Sequence, residues 1–109
     1  MGYLNSTRGL VSLVNREDIL KNGYVIVKVT VSGIRQTHRL NVVRERESRG
    51  DFYYLTGRHP IPESEMIRLA EELQLPIKSR DTIVFPKGKS RRDFMEVRVE
   101  PETVEAEIE

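Results

Sequence analysis

Between Tyr24 and Arg46 the chain reads YVIVKVTVSGIRQTHRLNVVRER, and this stretch narrows the fold more than any other. Val25, Val27, Val29 and Val31 recur at every second residue, the period of a strand with one buried face. Their β-branched side chains also suit a pleated surface. Ser32-Gly33 interrupts the alternation, and glycine supplies the positive φ that a tight hairpin turn requires. After the turn, Arg35, Arg39, Arg44 and Arg46 stand among Leu40, Val42 and Val43. The stretch predicts a long two-stranded ribbon, one arm turned to a core and the other carrying a row of guanidinium groups. The rest of the chain must then cover or extend it.

Before the ribbon, Asn15 is suited to cap a short helix over Arg16–Asn22. Glu17 and Asp18 face its positive end, and Gly23 stands where a left-handed terminator belongs. Gly9 to Val14 reads equally as a strand or as earlier turns of that helix. After the ribbon, Asp51 to Thr56 predicts a third strand, with Tyr53 and Leu55 on one face and Phe52 and Tyr54 on the other. Pro62, Glu63 and Glu65 open a second helix, along which Met66, Ile67, Ala70 and Leu73 recur at helical spacing until Pro76. Thr82 to Phe85 predicts a short strand, Pro86 to Arg92 a basic loop, and Asp93 to Val99 a last strand in which Met95, Val97 and Val99 alternate with Glu96 and Arg98. The expected architecture is α+β: a single domain over residues 1–100, with a mainly antiparallel sheet of five or six strands and one or two helices packed on one face. Residues 101–109 are expected to form an acidic, flexible tail.

A chain of 109 residues suffices for one core without a disulfide or metal staple. Cysteine is absent, which excludes a disulfide framework, a thiol nucleophile and a thiolate metal site. With no apolar run near the roughly 20 residues of a membrane span and no signal-peptide pattern, a cytoplasmic protein without membrane attachment is expected. The net charge of +1 conceals segregation. Residues 1–50 hold nine Arg and Lys against four acids, residues 51–75 two against five, residues 76–98 seven against three, and residues 99–109 five glutamates and no base. Arginine outnumbers lysine thirteen to five, a choice that suits carboxylate and phosphate. The 32% charged fraction and paucity of glutamine resemble thermophile composition, against which the heat-labile pair Asn22-Gly23 counts.

The basic surface is the foremost candidate for function: Arg35, Arg39, Arg44 and Arg46 from the ribbon, with Arg49 nearby, and Lys87, Lys89, Arg91 and Arg92 from the loop KGKSRR. On a strand Arg35 and Arg39 share a face about 13 Å apart, and two-stranded ribbons enter major grooves. The plainer alternative is a solvated edge that discourages strand pairing with other chains. Phe52, Tyr53 and Tyr54 offer rings for stacking on bases, although such a triplet is more commonly core. His38 and His59 lack the spacing of a metal site, and no cofactor is expected. Neither Glu63 with Glu65 nor Glu71 with Glu72 is spaced as an acid–base pair, and no serine sits in a nucleophile elbow.

The leading expectation is therefore a small non-enzymatic protein that binds nucleic acid, DNA or RNA undecided, through the arginine arm and basic loop. Its rival is a protein-interaction module or homodimeric adaptor joined through a strand edge. A distant third is a metal-independent ribonuclease built from His59, Arg58, Tyr54 and nearby lysines. The acidic tail, lying on the basic face, would compete with an anionic ligand. The nucleic-acid reading needs the two basic segments to converge on one side of one sheet.

Overall fold

The computed structural model describes residues 15–98, so the Gly9–Val14 segment and the acidic tail lie outside the described residues. Helix α1 spans Arg16–Asn22. The Asn15 side chain accepts the Asp18 N–H at 2.9 Å, and Gly23, at φ 87°, terminates the helix with its N–H on the Ile19 carbonyl. Ile19 is fully buried and α1 packs on strand β1.

Strands β1 (Tyr24–Val31), β2 (Ile34–Glu47) and β3 (Gly50–Gly57) form the expected antiparallel meander. Ser32 and Gly33 both take positive φ, 51° and 80°, as the favoured two-residue hairpin turn demands. Helix α2 follows at Glu63–Leu73, then β4 (Ile77–Ser79), β5 (Thr82–Val84), a 3-10 turn at Arg91–Phe94 and β6 (Met95–Glu96). The sheet order is β1-β2-β3-β4-β5, with β6 also on β3. The outer edge of β3 is thus divided: Asp51 and Phe52 pair with β6, Leu55 and Thr56 with β4.

Two elements depart from expectation. Strand β4 runs parallel to β3, so the sheet is mixed although mostly antiparallel. Parallel neighbours need a crossover of a dozen or more residues, which α2 and its flanking turns supply. The last strand is two residues long where Asp93–Val99 was expected. Asp93 turns back to accept the Ser90 N–H at 2.7 Å, winding the 3-10 turn and sending Phe94 into the core beside Tyr53 and Phe85. Beyond Glu96, Val97 is 86% exposed.

The register assigns every strand residue to a side. On one side Val25, Val27, Val29, Leu40, Leu55 and Ile77 are buried, and Met66, Leu69 and Ala70 of α2 belong to the same core. On the other side Phe52 and Tyr54 are buried as well, because Phe85 and the segment leading to Phe94 cover the start of β3. Strand β3 is therefore covered on both faces, and its alternating pattern hides that. Glycine is obligatory at Gly50: φ is 141°, and a Cβ there would stand 2.3 Å from the Glu96 carbonyl oxygen.

Candidate nucleic-acid interface

Among the described residues the ribbon's second face is left open by this packing. From β1 it presents Tyr24, Ile26, Lys28 and Thr30, and from the first half of β2 Arg35, Thr37, Arg39 and Asn41, all exposed. This run contains three cations and no acid. Lys28 Nζ donates to Thr37 Oγ1 across the strands at 2.9 Å. The Arg39 guanidinium lies 4.0 Å over the Tyr24 ring and donates from Nε to Asn41 Oδ1 at 3.0 Å. Stacking and that single bond hold the planar group while using only one of its nitrogens, so the two terminal amino groups remain for a partner. Further along the same face Lys78 on β4 sits 5.4 Å from the Tyr54 ring.

The convergence expected of the basic segments is partial. Arg35 and Arg39 share the open face, whereas Arg44 and Arg46 point to the opposite, helix-covered side. Arg44 donates from Nε to Glu96 at 2.8 Å, and that bond holds its pKa above the usual arginine value. Arg91 reaches the open face at its far end, where it covers the Phe52 ring at 4.0 Å and pairs with Glu47 at 2.5 Å. The Glu47 carboxylate likewise raises its pKa. Glu47 lies twelve residues from Arg35 on β2, about 40 Å of strand. Lys87, Lys89 and Arg92 are exposed on the loop, which is tied down by the Lys87 N–H on Glu71. The loop and the arginine arm are thus two separate basic regions.

Two contributors escaped the sequence reading. Lys28 was legible, since it falls between the core valines and must point away from them. Lys78 was not, because its side is set by the parallel pairing of β4 with β3.

The residues of the ribonuclease alternative are parted by the sheet. His38 is buried on the helix-covered side, its Nε2 donating to Gln36 Oε1 at 2.9 Å, with the His59 ring 5.8 Å away. Tyr54 faces the other way and donates to Glu45 at 2.7 Å. Burial, and next that bond to a carboxylate, push the Tyr54 phenol up to about 12. Among the described residues no group of three His, Asp or Glu side chains is placed to hold a metal, and no helix is long and apolar enough to cross a membrane. No protein-family model, curated protein or solved structure matches the chain.

Proposed function

We propose that this protein is a small nucleic-acid-binding module whose contact surface is the open face of the β1–β2 ribbon. The observation that carries the reading is charge placement: Lys28, Arg35 and Arg39 project from one face, and the run from Tyr24 to Asn41 itself holds no acid, Glu65 of α2 being the carboxylate that comes near Arg35. Cations arranged along a strand neutralise phosphates and release counterions, so affinity falls linearly in a plot of log K against log salt. Arg91 and Arg44 are excluded from the contact set, since each is already matched with a glutamate. A cytoplasmic location goes with this role. The thermophile-like composition adds only that exposed ion pairs such as Arg44–Glu96 weigh more at high temperature.

The test compares two double reversals of equal charge in the full chain. Arg35→Glu with Arg39→Glu should weaken binding of a labelled oligonucleotide by more than about ten-fold and flatten the salt slope by roughly 2. Lys87→Glu with Lys89→Glu, at the loop, should cost far less. Equal losses would mean that only the overall field matters and would refute a site on the ribbon.

A second reading rests on the edge of β2. Strand β3 joins β2 only from Leu40 onward, so Ile34 to Arg39 has no strand on its outer side among the described residues, and Ile34 is 62% exposed. Such an edge accepts another strand. Two copies paired there would crowd Arg35 and Arg39 of both chains, which opposes self-association. Light scattering at low and high salt separates this reading from the first.

A further inference from the structure

The ribbon's dimensions say which nucleic acid its face takes, an inference that rests on the function proposed above. From the Ile26–Arg39 pair to the Val31–Ile34 pair the sheet is, among the described residues, only two strands wide, because β3 pairs with β2 only from Leu40 onward. This portion is about 10 Å across and about 20 Å long. Behind it, Val27 and Val29 are buried and α2 fastens the strand: Glu65 Oε1 accepts the Thr30 N–H at 3.1 Å, and Arg68 donates to the Lys28 carbonyl at 2.7 Å. The face is therefore a stiff projection, not a hollow.

A stiff projection of that width matches the B-form major groove, about 12 Å wide, which admits a two-stranded ribbon. The major groove of A-form RNA is too deep and narrow to be read this way. Single strands require ring faces for stacking, and few are offered here. Phe52 and Tyr54 are buried, while Tyr24 is 38% exposed with one face taken by Arg39. The outward side chains are those that read base edges. Arg35 and Arg39 present forks suited to guanine, and Thr30, Thr37 and Ile26 offer methyl groups to thymine. Strand rise and base-pair rise are both about 3.4 Å, so Arg35 and Arg39 stand about four base pairs apart along the groove.

We infer that the partner is B-form duplex DNA, entered at the major groove by residues 26–39, with Arg39 and Arg35 reading bases and Lys28 beside them. Fluorescence anisotropy of the full chain tests this with a DNA duplex of about 20 base pairs, the RNA duplex of the same sequence and each single strand, all at one salt concentration. Duplex DNA should bind at least about ten-fold more tightly than the others. Selection from a randomised DNA duplex pool, repeated with Arg39→Lys, should lose the preference at one base pair while affinity for unselected duplex stays within about two-fold, since the charge survives and the fork does not. Unchanged preference would overturn base reading by Arg39. Equal or tighter binding of single strands or duplex RNA, still abolished by reversal of Arg35 and Arg39, would overturn the duplex inference and leave the nucleic-acid function standing. Absence of binding to every probe at low salt would remove both.

Discussion

Tyr54 shows how far a single side chain's environment can be traced to a measurable consequence. Its hydroxyl donates to Glu45 at 2.7 Å, and burial followed by that bond raises its pKa to about 12. An unfolded tyrosine loses its proton near pH 10. Between about pH 10 and 12 the folded chain keeps a proton that the unfolded chain has released, so stability is whole below that window and drains away across it. A shift of this size is about 3 kcal/mol. Tyr54→Phe should cost about 1 kcal/mol at neutral pH through the lost hydrogen bond, yet show a shallower alkaline decline. Urea unfolding of both proteins at pH values on either side of 10 checks this, and parallel declines would refute it. The aromatic triplet itself was legible as core. That all of Phe52, Tyr53, Tyr54 and Leu55 are buried was not, because alternation describes a strand with one wet face and β3 has none. Gly50 was legible as a turn residue. The close approach of the Glu96 backbone comes from 46 residues later in the chain, and no local signal records it.

At the scale of elements, β1 has no strand on its outer edge among the described residues, which makes that edge the point of weakness, and α2 manages it. An edge strand presents unpaired N–H and C=O groups, a template for wrong partners. Arg68 bridges Glu65 at 2.7 Å and Glu72 at 3.0 Å while also donating to the Lys28 carbonyl. Arg68 first, then the Thr30 amide, holds the Glu65 carboxyl below its usual range, with Arg35 adding to the effect. Arg68→Ala should therefore cost roughly 1–3 kcal/mol and bring concentration-dependent self-association as the β1 edge opens. Lysine should restore little, since one ammonium cannot span two carboxylates and a carbonyl as a fork does. Denaturant melts together with light scattering measure both effects, and a monomer of undiminished stability would contradict the role. Helix α2 was plain in the sequence from its Pro-Glu opening and apolar spacing. Its position was not: the same pattern serves a helix laid anywhere on the sheet, and only the parallel return of β4 shows that it is a crossover.

For the whole molecule, the distribution of charge over faces decides what the surface can do. Arg35 and Arg39 have odd numbers and Arg44 and Arg46 even ones, so an unbroken strand was bound to separate them. Parity read strictly would have shown this, whereas the separation of the KGKSRR loop from the arm depends on tertiary folding. What remains is a cationic ribbon on a chain whose net charge is only +1, because the terminal residues are acidic. Residues 101–109 contain four glutamates and no base, and removing them raises the net charge to +5. Repulsion between that acidity and an anionic ligand acts over the Debye length, about 10 Å at 0.1 M salt and about 30 Å at 0.01 M. Truncation after Glu100 should then tighten nucleic-acid binding several-fold at low salt, mainly through faster association, and change little above physiological ionic strength. Equal gains at every salt concentration would point instead to a segment that physically occupies the ribbon. Unaltered affinity at low salt would show that the acidic end neither repels nor competes, and that the ribbon's field alone governs the encounter.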